Sequence, residues 1–231
     1  MKLLAFETAT EACSVAVWDD GAVRERFALA PRRHAELALP WAEALLAEAG
    51  LARTQLDAIA VGRGPGAFTG VRLGVSLAQG IALALDRPVV PVSTLAVLAA
   101  GAKGEGDVLA AIDARMGEVY LAAFALRDGA VSPRSDEGVA DPAAAALPEG
   151  EGWIGMGTGF AAVDGALRMR MGARLRQVDP GALPHAGDLA RLAARAHADG
   201  LALAPERVEP AYLRNRVALT LAEQRAARGT R

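Results

Sequence analysis

Apolar and polar positions along the chain follow two different rhythms. Near the start, LLAFET (residues 3–8), CSVAVWDD (13–20) and AVRERFAL (22–29) have the short apolar character of strands, with Asp20-Gly21 as hairpin turn chemistry. The period then lengthens. In HAELALPWAEALLAEAGL, Leu37, Trp41, Ala44 and Leu45 recur at helical spacing and Gly50 supplies a C-terminal stop. Pro40 inside this pattern predicts a bend or a split. DAIAVGRG reads as a buried strand, TGVRLGVSLAQGIALAL as a second helix and RPVVPV as another strand.

The same order recurs. VLAAID (108–113) and EVYLAAFAL (118–126) read as strands, followed by a short strand after Asp128-Gly129 and an alanine-rich helical piece after Asp141-Pro142. A strand WIGMG (153–157) and a helix from about Phe160 complete the round. Two rounds of strand, strand, strand, helix, strand, helix predict an α/β protein of duplicated lobes, joined through the linker-like AGAKGEGD near Gly101 to Gly106. Residues 1–103 are then the first lobe, 104–212 the second and 213–231 a C-terminal helix and tail. GDLARLAARAHADG and TLAEQRAARG read as helices, with RVEPAYLRNRVA extended between them.

Composition narrows the class. With 231 residues the chain can bury a substantial core. No apolar run reaches the roughly 20 residues of a bilayer span, and MKLLAFETATEA turns acidic too soon for a signal peptide, so a soluble cytoplasmic protein is expected. Cys13 stands alone within strand-like sequence and reads as a small core residue. Charge is unevenly placed: from Ala166 onward there are 12 Arg against 6 acidic residues, while residues 1–165 carry 13 basic and 21 acidic. Such a basic end can touch RNA or dock on an acidic partner. With 23 Arg to 2 Lys, part of the asymmetry reflects a general preference for Arg.

Three segments invite a chemical reading. GRGPGAFTGVRLG (62–74) passes from strand to helix through a glycine-rich turn, which can offer free N–H groups and the positive helix end to an anion. It lacks the Lys-Ser/Thr pair of a phosphate-binding P-loop, because Val71-Arg72 follows Gly70. Thr69 is a candidate N-cap. Gly66, Gly70 and Gly74, spaced by four, form one stripe, which favours close approach of a neighbouring helix over anion binding or simple turn chemistry. The turn at residues 8–11 and GMGTGF (155–160) leave the same choice open between phosphate contact and ordinary turn bonding. His34, His185 and His197 form no i, i+4 pair, so no metal cluster is expected, and His34 reads as a cap or surface contact. Asp113-Ala114-Arg115 reads as an ion pair or turn cap.

Taken together, ETATEACSVAV, HAELALPWAEALLAEAGL, GRGPGAFTGVRLGVSLAQGIALAL, PVVPVSTLAVLA, IDARMGEVYLAAF and PAYLRNRVA resemble the TsaB (YeaZ) family over nearly the whole chain. The resemblance implies an actin/Hsp70/sugar-kinase-like fold of two ribonuclease-H-like lobes. It also implies a partner subunit of TsaD in forming N6-threonylcarbamoyladenosine at position 37 of tRNAs reading ANN codons. A TsaC-type enzyme would make threonylcarbamoyl-AMP, TsaE would join as an ATPase, and tRNA would be met only through the complex. Alone, the chain would form a homodimer.

TsaD-like sequences carry a His-x-x-x-His metal pair after the strand matching PVVPV, where this chain has Thr94 and Leu98. A hydroxyl and an isobutyl group cannot hold a transition metal, so the resemblance implies a catalytically silent relative with no metal or cofactor of its own. ATP or ADP at the partner junction stays open, with Thr8, Thr10, Gly157 and Gly159 as contacts. The implied partner face comprises His34, Leu37, Trp41 and Leu45 on one helix and Phe68, Gly70, Arg72 and Gly74 on the next. The competing reading is a nucleotide-binding ATPase or kinase, or a peptidase, of the same superfamily.

Overall fold

The first strand is buried along almost its whole length in the computed structural model, which describes residues 1–214. β1 (Lys2–Glu7) turns Leu4 and Phe6 to one side and Leu3 and Ala5 to the other, so both faces of its sheet need cover. It sits at the centre of a sheet completed by β2 (Ala12–Asp19), β3 (Ala22–Leu29), β4 (Ala58–Gly62) and β5 (Val89–Val92), in the order β3-β2-β1-β4-β5. The hairpin strands run antiparallel to one another, whereas β4 and β5 run parallel to β1. Helices α1 (His34–Glu48) and α2 (Phe68–Leu85) cover the Leu4 and Phe6 face.

The second half repeats this wiring. β6 (Gly106–Arg115), β7 (Glu118–Arg127), β8 (Ala130–Pro133), β10 (Trp153–Met156) and β11 (Leu175–Asp179) give the order β8-β7-β6-β10-β11, and β9 (Gly138–Ala140) adds a pairing to β7. The fold is therefore α/β with two ribonuclease-H-like lobes of the actin, Hsp70 and sugar-kinase type. α3 (Thr94–Ala100), which ends the first half, packs Leu95, Leu98 and Ala99 onto the second sheet. α5 (Ala186–Ala198), from the second half, packs Leu189, Ala190 and Ala193 onto the first. The two halves thus exchange their last described helices, which join the sheets through a shared central layer. α4 (Ala162–Met171) covers the far face of the second sheet with Leu167 and Met171.

Local chemistry accounts for most element ends. The C-terminus of α1 closes as a Schellman turn, with Gly50 N–H donating to Ala47 O and Leu51 N–H to Leu46 O, and Gly50 takes φ +68°. Ser93 caps α3 by accepting from Ala96 N–H at 3.2 Å. Pro40 does not split α1, which runs through it because Ala38, Ala42, Leu45 and Leu46 on the opposite side are buried against the sheet. The alanine-rich piece after Asp141-Pro142 is not a helix. Asp141 caps one turn through Ala143 N–H at 2.7 Å, and Pro148 then forces Leu147 out of helical geometry before the turn can propagate. α4 starts late, because Val163, Asp164 and Gly165 are all left-handed. β9, β11 and α3 carry too little periodicity to be read alone, and the expected helix in TLAEQRAARG lies outside the described residues. α2 is long and apolar enough by length and composition to cross a membrane, with a mean hydropathy of 1.4 over 18 residues. Its buried positions face β4 and the hairpin.

One polar cluster fastens α5 to the first sheet. Glu25 on β3 accepts from Ser14 Oγ at 2.6 Å and from Gly187 N–H at 3.2 Å, and it meets His185 Nδ1 at 3.1 Å. Ser14 Oγ in turn accepts from Ala186 N–H at 2.8 Å. Burial opposes ionisation of Glu25, but these donors outweigh it and hold the carboxyl below its usual range. The bond to Glu25 raises His185, and Asp188 adds to the rise. A raised folded-state value means that the His185 contribution is complete below its ordinary 6.5 and lost as pH climbs through the folded value. His185→Gln should accordingly lower the thermal midpoint at pH 6, and the gap to wild type should narrow by pH 9 in matched melting curves.

Candidate functional site

The glycine-rich exit from β4 is filled by the chain's own hairpin. A Cβ on Gly66 would overlap the Ala9 carbonyl oxygen, one on Gly70 would overlap that of Thr8, and one on Gly74 would stand 2.7 Å from Thr8 Oγ1. Thr8 Oγ1 donates to Gly70 O at 2.8 Å, and Ala67 N–H donates to Ala9 O at 2.7 Å. The stripe therefore admits the β1–β2 turn and not a neighbouring helix. Thr69 is not the N-cap. That position is Ala67, extended and without a side-chain cap. His34 also turns inward: its buried Nε2 lies 3.0 Å from Thr10 O and 3.1 Å from Ala12 O, so it donates to both carbonyls and ties the start of α1 to the same turn.

The second lobe repeats the device. A Cβ on Gly157 would overlap Ala111 O, and one on Gly159 would stand 2.7 Å from the Ala111 Cβ. Thr158 Oγ1 is taken up by Asp113 N–H at 3.1 Å, and Phe160 is buried. Both glycine-rich turns spend their smallness on backbone. Thr8 and Thr10 are buried too, with Thr10 Oγ1 accepting from Ala12 N–H at 3.3 Å. Asp113 accepts from Arg115 N–H at 2.8 Å and pairs with the Arg115 guanidinium at 3.3 Å, which is the turn cap and ion pair read from the sequence.

Open space lies beside these turns. One cavity of about 430 Å3 runs between the lobes from Thr10 and Gly66 to Asp113 and Tyr120. A second, of about 410 Å3, continues it past Phe68 and Arg72 to Tyr212 and Arg214. Both tyrosines of the chain therefore line one groove.

The residues expected at a partner face separate into three groups. His34, Leu45, Gly70 and Gly74 are buried within the chain. Leu37 and Trp41 are half-buried against the core of the first lobe. Phe68 is 51% exposed, and Arg72 lies beside it on the surface with its guanidinium carbon 3.6 Å from the ring centroid. Farther along α2, Ser76, Gly80, Leu83 and Ala84 face outward, flanked by half-buried Leu77 and Ile81. Arg72 is the one charged residue of α2. A Cβ on Gly80 would meet nothing within 4 Å among the described residues. Ser76, Gly80 and Ala84 are spaced by four just as Gly66, Gly70 and Gly74 are, so the signal for the exposed stripe was present in the sequence. Only the direction of each stripe was hidden.

Thr94 and Leu98 occupy successive turns of α3 and are buried, Leu98 within the apolar core of the second sheet. Thr94 Oγ1 donates to Glu7 Oε2 at 3.2 Å and accepts from Gly64 N–H at 3.2 Å. Among the described residues, no three His, Cys, Asp or Glu gather where they could hold a metal. Cys13 is buried, and burial pushes its thiol up to about 11. Glu7 was missed by the sequence reading, although an acid ending a fully buried strand is a usable signal. Its Oε1 accepts from Ala9 N–H at 2.9 Å, but burial dominates and pushes the carboxyl up to about 7. A raised acid is no burden below its ordinary 4.5 and costs most stability above about pH 7, where the buried carboxylate must ionise. Glu7→Gln should raise the thermal midpoint by roughly 5 °C at pH 8, with the gain shrinking toward pH 5.

Comparison with known proteins agrees with this geometry. Residues 28–155 match the model of the family described as TsaD: tRNA N6-adenosine threonylcarbamoyltransferase. The tRNA threonylcarbamoyladenosine biosynthesis protein TsaB of Escherichia coli is 43% identical, over 94% of this chain and 96% of its own. The Haemophilus influenzae protein of that name is 48% identical over 52% of each chain. YeaZ from Pseudomonas aeruginosa superposes with a TM-score of 0.85 at 45% identity, covering 92% of this chain and 99% of its own. The chain belongs to the TsaB family, within the wider family that the TsaD model describes.

Proposed function

We propose that this protein is a non-catalytic subunit that binds TsaD and activates it to transfer a threonylcarbamoyl group to N6 of adenosine 37 in tRNAs reading ANN codons. The observation that carries the reading is the outward face of α2. Eighteen residues hold one charge, yet only Gly70, Val71, Gly74, Val75, Ala78 and Ala82 are buried. A glycine inside a helix costs about 1 kcal/mol relative to alanine, and Gly80 has no close neighbour among the described residues to justify it. A helix of another protein lying over Ser76, Gly80 and Ala84, gripped at its edges by Leu77, Ile81 and Leu83, accounts for both features. TsaD is that partner, and a second copy of this chain takes its place when TsaD is absent. TsaE joins the assembled pair, TsaC supplies threonylcarbamoyl-AMP without contact, and tRNA is reached through the complex in the cytoplasm. ATP or ADP, where it binds, lies at the junction with TsaD.

An ATPase, kinase or peptidase has less in its favour. The glycines of the two turns are pressed against the chain's own backbone, the first turn lacks the Lys-Ser/Thr pair of a P-loop, and Thr94 is engaged with Glu7. Among the described residues, Ser14 Oγ donates to Glu25 rather than to a histidine, and Cys13 is enclosed in the core.

Two measurements test the proposal. In a mixture of TsaD, TsaC, TsaE, ATP, threonine, bicarbonate and tRNA, omitting this chain should abolish modified adenosine, and undiminished product would refute the role. Gly80→Leu should weaken binding to TsaD by about 100-fold or more in calorimetry, a hot-spot effect. The substitution should leave the melting temperature of the free chain unchanged or higher, since leucine is the better helix former.

A further inference from the structure

Arg72 links the outward face of α2 to the groove between the lobes. Its Nε donates to Tyr212 Oη at 2.7 Å, and its guanidinium carbon lies 3.6 Å from the Phe68 ring centroid and 5.4 Å from that of Tyr212, beside two rings whose centroids are 6.2 Å apart. Tyr212 belongs to a strap, residues 210–214, that is held to the first lobe by Ala211 N–H donating to Arg63 O at 2.8 Å. Two residues on, Arg214 reaches the second lobe. It donates to Ala114 O at 3.2 Å and to Arg115 O at 3.3 Å, and it pairs with Glu118. The strap thereby forms one wall of the groove and clips it to the β6–β7 hairpin. That hairpin turns through Arg115, Met116 and Gly117, all at positive φ, and Met116 is 78% exposed.

The partner face meets this clip at one residue. Arg72, Ser76, Gly80 and Ala84 fall on one line of α2, and Arg72 has no carboxylate partner among the described residues. A helix packed along that line therefore covers a cation whose Nε bond ends on a neutral hydroxyl. A charge-assisted bond to a carboxylate is roughly twice as strong as a neutral one, and exclusion of water widens the difference.

We propose that Arg72 is a switch: in the free chain it holds Tyr212 and keeps the strap clipped across the groove, and a partner helix bearing a carboxylate draws Arg72 away and releases the strap. Loss of Tyr212 removes one of the two described side-chain anchors of the strap, so Arg214 exchanges its contacts with the hairpin more freely. Occupation of the helix face is thus felt at the opposite wall of the inter-lobe groove, through one contiguous chain of contacts with two arrangements. The inference rests on the proposed reading of the α2 face as the site of TsaD binding.

Hydrogen–deuterium exchange of the full chain tests it, read at residues 114–118. Binding of TsaD should speed exchange there about tenfold, the scale of losing a hydrogen bond to a charged group. Tyr212→Phe, which keeps the ring and drops the bond to Arg72, should speed exchange at the same residues in the free chain. Unchanged or slowed exchange at 114–118 on TsaD binding overturns the switch, as does a free Tyr212→Phe chain that exchanges like wild type. Failure of the two proteins to bind at all overturns the reading of the helix face, and the switch with it.

Discussion

The arrangement rests on the seating of one turn in one helix. Thr8 and Ala9, at the crest of the β1–β2 hairpin, press their carbonyls against α2 where Gly66, Gly70 and Gly74 leave no side chain in the way. Because carbonyl oxygen and helix backbone meet at contact distance, even a methyl group cannot be inserted without moving the hairpin or the helix. This close fit sets the direction of α2 over the sheet, and His34 ties α1 to the same turn. The glycines thus serve the seating of the turn, and the cavity of about 430 Å3 opens beside it, past Thr10 and Gly66. The second lobe spends Gly157 and Gly159 on Ala111 in the same way.

With one face of α2 committed to the hairpin, its opposite face is left apolar, small and exposed. The central layer is committed as well, because α3 and α5 each cover the sheet of the other half and Glu25 fastens the start of α5. The arginines that make the C-terminal third basic are partly absorbed by this architecture. Arg170 donates to Pro142 O and Ala145 O, and Arg174 to Pro148 O, bracing the segment that stands where the first lobe has α1. A charge sum over sequence cannot separate such carbonyl clamps from a surface meant for RNA.

Much of the fold was legible because burial and turn chemistry are local signals. The repeated order of strands, the Schellman glycine at Gly50 and the hairpin turn at Asp20-Gly21 were all readable without a structure. The misreadings concern direction and reach. Gly66, Gly70 and Gly74 were recognised as a stripe, but spacing says nothing about whether a turn or a helix approaches it. His34 looked like a cap because its acceptors, Thr10 O and Ala12 O, lie more than twenty residues away in sequence. The helix expected after Pro142 was defeated by Pro148, a local feature that the alanine content obscured. Tyr212 and Tyr120 come to line one groove only once both lobes are assembled, so no period in the sequence announces it.

The most direct test compares two glycines on opposite faces of α2 by urea denaturation. Gly70→Ala should destabilise the chain by about 3 kcal/mol or more, because its methyl group meets the Thr8 carbonyl. Gly80→Ala should stabilise it by up to about 1 kcal/mol, because its methyl group meets nothing among the described residues. Effects of the same sign and similar size at the two positions would contradict a helix with one face closed on its own hairpin and the other left for a partner.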